Sequence, residues 1–134
     1  MGAPPSGKPP STEILTAMGD DGVFALLSAF YAELEASEIR GLFPDDMQAA
    51  SRKSAAFFVQ LLGGQPLYSQ RYGQPRMRQL HEPFEIDESA RAVWLETFEG
   101  VLARSGPELG FPEAHLPEFC AFLQSFSAWM VNTK

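Results

Sequence analysis

Two prolines, Pro75 and Pro83, set the tightest local limit on what this chain can build. Proline fixes its own φ, lacks a backbone N–H and pushes the residue before it out of the α region. Pro75 suits a first helical position and Pro83 stops the helix near Glu82, so the segment holds about two turns. Within it Met77, Leu80 and His81 fall at i, i+3 and i+4 and share one face. The stretch presents an imidazole between apolar side chains on a short helix. That is the setting an axial metal ligand needs, although a histidine satisfied in a core or at the surface fits the same residues. The remaining chain is expected to form a pocket over His81. The other histidine, His115, lies near the start of the last helix and is assigned no role.

Elsewhere apolar residues recur with helical spacing between Gly, Pro and Asp punctuation, and no segment alternates as a strand would. Residues 1–11 (MGAPPSGKPPS) read as a disordered or polyproline-like lead, with one domain over 12–134. A short helical turn over 12–18 ends at Gly19. Asp20-Asp21 then cap a helix whose face is Val23, Leu26, Leu27, Phe30, Tyr31 and Leu34. Tyr31 in that stripe needs a partner for its hydroxyl. Asp45-Asp46 cap a second helix with Met47, Ala50, Ser54, Phe57, Phe58, Leu61 and Leu62 inward. Its first half is small (Ala49, Ala50, Ser54, Ala55, Ala56), which lets something bulky approach the backbone; Gly63-Gly64 end it. Residues 65–75 read as a loop. Asp87 caps a long helix facing inward through Ala90, Val93, Trp94, Thr97, Phe98, Val101 and Leu102, ended by Gly106-Pro107. The last helix starts near Pro112 or Glu113, and its wide apolar face predicts a central, well-covered helix. The fold class is all-α, with four substantial helices and two short ones.

The chain has 134 residues, enough for one domain with a real core. A net charge of −7 argues against a nucleic-acid surface, and only Arg71, Arg76 and Arg78 form a local basic cluster. The single Cys120 excludes an internal disulfide and a cysteine-built metal site; on an apolar helix face it reads as inert packing. No apolar run reaches the length of about 18 residues that a membrane span needs, and the first residues lack the apolar segment of a signal peptide. A cytoplasmic protein with no membrane association is the expectation.

The order Phe30-Tyr31, Phe43-Pro44-Asp45-Asp46, Phe57-Phe58 with Gly63-Gly64, Leu67-Tyr68-Ser69, Pro75-Arg76 through His81-x-Pro83-Phe84, then Trp94, resembles a group II truncated haemoglobin. The resemblance runs from about Thr12 to Met130. It implies a truncated globin fold, a two-over-two helical sandwich enclosing a haem, here haem b (iron protoporphyrin IX). By that resemblance His81 is the proximal iron ligand, Tyr31 and Trp94 are the distal polar residues, and Phe43 packs on the haem face. The turn between Tyr31 and Phe43 is one residue shorter than the family pattern. Phe43 stands where many group II members carry tyrosine, Leu80 where an arginine is common, and Gln74 where histidine is frequent. Ser54 fills a distal-side position often held by a larger residue.

By the same resemblance Ala50 lies where classical globins place a distal histidine and can bond no ligand, so distal hydrogen bonds fall to Tyr31, Trp94 and Ser54. Ser54 can equally bond back to the Ala50 carbonyl. The ligating imidazole must be neutral, with its other N–H given to an acceptor, for which a backbone carbonyl one turn earlier, near Met77, is the natural candidate. Lys53, Tyr68, Arg76 and Arg78 are candidates for the haem propionates, against the alternative of a solvated face. Met77, Phe57, Phe58, Phe84, Ile86 and Phe98 would cover the porphyrin. The implied partners are O₂ and other diatomic gases (NO, CO), with oxygen binding or transport as the first role. The alternative is a haem enzyme, a nitric oxide dioxygenase or peroxidase-type activity drawing on a separate reductase. A haem-free helical interaction module is the third reading. Monomer and homodimer are both open.

Overall fold

The computed structural model describes residues 9–133. Among them the regular elements are all helical: α1 (Glu13–Glu35), α2 (Met47–Leu61), α3 (Leu67–Tyr72), α4 (Met77–His81), α5 (Glu88–Ser105) and α6 (Leu116–Met130), with short 3₁₀ turns at Arg40–Leu42 and Glu113–His115. Helix α1 packs on α2 and α5, α5 packs on α6, and the short α3 and α4 attach to α2 and α6 respectively. The lead expected over 1–11 lies outside the described residues up to residue 8. Ser11, within it, donates its N–H to Glu118 at 2.7 Å.

The local punctuation acts as its chemistry requires. Gly19 takes a positive φ of 72° and breaks α1 into two parts, as the expected end of the 12–18 turn demanded. Asp46 and Asp87 accept the N–H groups of Ala49 (3.0 Å) and Ala90 (2.8 Å) as N-caps. At the end of α2, Gly63 has a φ of 91°, its N–H donates to Gln60 O, and the Gly64 N–H donates to Val59 O. This is the double C-terminal closure that a left-handed residue makes possible.

The core is one cluster built from α1, α2, α5 and α6, centred on Phe30, Phe58, Phe98 and Phe119. Phe98 meets Phe30, Phe58 and Phe119 at 4.2, 5.7 and 6.0 Å. Arg91 ties α5 to α6 by donating to Ser127 Oγ (3.0 Å) and Gln124 O (2.9 Å), which also satisfies the buried Ser127. Helix α1 is the one described helix with the length and hydropathy to cross a bilayer. Its apolar stripe (Ile14, Val23, Leu26, Leu27, Phe30, Leu34) lies inside this core.

Four expectations need correction. The fully buried stripe of α2 is Met47, Ser51, Ala55, Phe58, Val59 and Leu62, rotated from the expected one. Ala50, Ser54, Phe57 and Leu61 form a second, half-buried stripe beside it. Residues 65–75 are not all loop: α3 forms there because Gln60 clamps Ser69 through two bonds of 2.9 Å, and Tyr68 is buried. Pro75 precedes α4 rather than opening it, since Arg76 is the N-cap. Helix α6 is also less covered than expected: Phe119, Leu123, Ser127 and Met130 are buried, but Phe122, Phe126 and Trp129 remain half-buried.

A Cβ at Gly64 would meet the Val59 carbonyl oxygen at 2.9 Å and the Leu15 side chain at 2.7 Å. Gly64→Ala is therefore expected to lower stability by about 1–3 kcal/mol, read by urea denaturation of the protein without added cofactor.

Candidate functional site

The second, half-buried stripe of α2 carries Ala50, Ser54 and Phe57, and the other candidate residues lie on α1, α4, α5 and α6. Tyr31, on α1, sits edge-on to Phe43 at 5.7 Å and to Phe30 at 5.5 Å. Its hydroxyl is partnered by Ser54 of α2; burial raises its pKa above the ordinary phenol value, and the Ser54 bond opposes that rise. The phenol is therefore neutral and keeps its proton. The sequence left Ser54 open between a distal hydrogen bond to the ligand and a bond back to the Ala50 carbonyl; its partner here is the Tyr31 hydroxyl. Trp94, on α5, is half-buried and meets Phe30 at 5.6 Å, Phe98 at 5.5 Å and Phe126 at 6.5 Å. One turn earlier, Ala90 and Val93 floor an open groove of about 380 Å³ shared with Ile39 and Leu42.

On α4, His81 is partly buried, and its Nδ1 lies 2.6 Å from the carbonyl oxygen of Met77. A carbonyl only accepts, so Nδ1 carries the hydrogen and Nε2 carries the lone pair. Burial lowers the imidazole pKa, the Met77 bond acts against this, and the positive charge of Lys53 lowers it further. A neutral imidazole with a defined tautomer and an available Nε2 is a metal-ligand state. The Met77 carbonyl is the acceptor that the short helix predicted.

The remaining candidates divide by depth. Phe57 is half-buried and meets Phe126 at 5.7 Å and Tyr68 at 6.0 Å. Phe58 and Phe98 lie in the main core, 3% and 0% exposed. Tyr68 and Met77 are buried in a second cluster with Ala56 and Met130, against which Ile86 packs. Burial raises the Tyr68 pKa, and Tyr72 adds to the effect. Phe84 is exposed, its ring 6.3 Å from that of His81. Lys53 lies over the Tyr72 ring at 5.3 Å, and Arg76 is exposed at the head of α4. Arg78 points elsewhere: its Nε donates to Trp129 O at 2.8 Å and its Nη2 to Val131 O at 3.3 Å. Leu80 is exposed, as is Gln74. Cys120 is half-buried, and burial together with Glu99 raises its thiol pKa, in keeping with packing.

Phe126 is a neighbour of Phe57 that sequence reasoning passed over. Its signal was available: the apolar arc of α6 is too wide for one neighbour, and the excess (Phe122, Phe126, Trp129) serves a second surface. His115, given no role, bridges Glu13 at 2.6 Å and Glu118 at 3.4 Å.

This helix order, with Tyr31 on α1, Trp94 on α5 and the Met77-bonded His81 on α4, is that of a shortened globin. The family model for bacterial-like globins matches residues 15–130. Group 2 truncated hemoglobin YjbI of Bacillus subtilis is 31% identical over 93 residues, covering 69% of this chain and 70% of that protein. The crystal structure of phosphate-bound Hell's gate globin IV superposes with a TM-score of 0.85 at 34% identity, covering 96% of this chain and 79% of the other. The group II truncated hemoglobin of Bacillus anthracis gives 0.79 at 29% identity, with coverage of 89% and 90%. The chain belongs to the bacterial-like globin family, and its relatives and structural neighbours include group II truncated haemoglobins. Globins bind haem and, through it, diatomic gases such as O₂. The side chains here fit that group: one neutral imidazole with a free Nε2, half-buried rings on facing helices, and cations beside α3 and α4 that can meet two carboxylates.

The His81 pKa shift has a stability consequence. Its folded value lies below the ordinary 6.5, so below about pH 6.5 the unfolded chain takes up a proton that the native protein resists. Stability from this site is complete above that pH and is lost as pH falls towards the folded value. Urea denaturation without cofactor should show a steeper loss below pH 6.5 for the parent than for His81→Gln.

Proposed function

We propose that this chain holds haem b through Nε2 of His81 and binds O₂ or another diatomic ligand on the opposite face. The observation that carries the reading is the His81 Nδ1–Met77 carbonyl bond, because it fixes the neutral tautomer and directs the remaining lone pair. When bound, haem iron with one protein imidazole offers an open sixth position for a small ligand. The protein's share is then to hold, cover and discriminate.

Holding falls to His81, with Lys53 and Arg76 as the exposed cations for the propionates. Arg78 contributes through its bonds to the end of α6. Cover comes from Phe43, Phe57, Phe84, Ile86 and Phe126, with Met77 and Tyr68 behind them and Phe58 and Phe98 as core support. Discrimination falls to Tyr31 and Trp94. Both present a hydrogen to a ligand that gains negative charge, and in a site shielded from water such bonds strengthen. Ser54 supports the Tyr31 hydroxyl, and Ala50, with its small side chain, would leave room for the ligand. Phe43 offers no hydroxyl, so the distal donors are these two. Enzymatic turnover in the same pocket, of nitric oxide or peroxide, would draw electrons from a separate reductase.

His81→Gly should abolish stable haem retention, read as loss of Soret absorbance; an unchanged spectrum and haem affinity would exclude His81 as the ligand. Tyr31→Phe removes a charge-assisted donor of about 1.5–3 kcal/mol. Its O₂ release should therefore quicken by roughly 10- to 100-fold in stopped-flow displacement by CO, and an unaltered off-rate would remove Tyr31 from the distal role.

A further inference from the structure

Helix α4 has five residues, far fewer than the roughly 12–15 at which an isolated helix becomes even marginally stable in water. Its last residue is His81, so whatever fixes α4 fixes the imidazole. The hydrogen bonds that leave α4 and its following turn run to the end of α6 and the tail beyond it. Arg78 donates to the carbonyls of Trp129 and Val131. Met77 is buried against Met130. Asn132 then closes the turn after His81. Its Nδ2 donates to the carbonyls of His81 at 3.3 Å and Phe84 at 2.9 Å, and its Oδ1 accepts from the Ile86 N–H at 3.0 Å. The Asn132 and Thr133 N–H groups both donate to Ile86 O, at 2.9 and 3.0 Å. The Ile86 N–H can only donate and the two carbonyls can only accept, so the partners themselves dictate which way the carboxamide points.

We infer that Asn132 is a positioning residue for the proximal ligand: its carboxamide, with the α6 end gripped by Arg78, sets the depth and tilt at which His81 meets the iron. The inference rests on the reading of His81 as the ligand. The residues that follow α6 thereby become part of the proximal wall, and changes at Asn132 are transmitted to the iron–imidazole bond without any contact to the cofactor.

Asn132→Asp tests this with little change in shape. The acid still accepts from the Ile86 N–H, but it loses both donors and sets a negative oxygen against the His81 and Phe84 carbonyls. The full-length haem protein is read by resonance Raman in the ferrous, ligand-free state, and by haem transfer to an excess of apomyoglobin. The expected results are a downshifted iron–histidine stretching band and haem loss faster by about 10-fold, the scale of outer-sphere changes around metal ligands. A loss of stability alone would not move that band. In the protein without haem, the amides of Leu80, Glu82 and Phe84 should exchange several-fold faster. If Asn132→Asp does not fold, Asn132→Ala removes the same donors without adding charge and takes the same measurements. An unshifted band with parental exchange at those amides overturns the inference. A parent protein that shows no iron–histidine band overturns the His81 reading instead, and amide exchange then decides alone whether Asn132 holds α4.

Discussion

Helix α2 must satisfy two neighbours at once, and the rest of the molecule is arranged around that demand. One arc, through Ala55, Phe58, Val59 and Leu62, is sealed into the core. The adjacent arc, through Ala50, Ser54, Phe57 and Leu61, is only half covered. A helix with a single packing partner needs one stripe of this kind. Two stripes with different residue sizes place a close-packed interior on one side and a half-covered face on the other. The half-covered arc carries the small Ala50 and Ser54, with Ser54 partnering Tyr31, and then Phe57, which Phe126 of α6 meets.

The same geometry explains which parts of the molecule were legible in the sequence. Caps were legible because their chemistry is local: Asp46, Asp87 and the Gly63-Gly64 pair each act within a few residues of themselves. The imidazole acceptor was legible for the same reason, since Met77 is one turn from His81. The two arcs of α2 overlap in sequence, so periodicity merged them into a single face. Helix α3 was hidden because it is held by Gln60, nine positions before Ser69. Pro75 looked like a helix start by propensity, but the chain first turns through Arg76. Asn132 gave no sequence signal, since a polar residue near a chain end has no periodicity and its partners lie around fifty positions away.

Charge is distributed with similar economy. Among the described residues, Arg40, Arg78, Arg91 and Arg104 are engaged in hydrogen bonds within the fold. Lys53, Arg71 and Arg76, on α2, α3 and α4, make no ion pair, and Lys53 rests only on the face of Tyr72. These three cations stand out in a chain of net charge −7, and exposed cations of this kind attract anionic groups.

The break at Gly19 has a reach beyond its own turn. By swinging residues 13–18 off the axis of the longer part of α1, it brings Ser11 and Glu13 to the start of α6. There Glu118 accepts from Ser11 and His115 bridges both glutamates. The Ser11–Glu118 bond joins positions 107 apart, which makes it among the most non-local contacts in the molecule. Chain entropy opposes closing so long a loop until intervening helices have shortened the path. One glycine with a positive φ thus sets when, as well as where, the segment before α1 meets the start of α6.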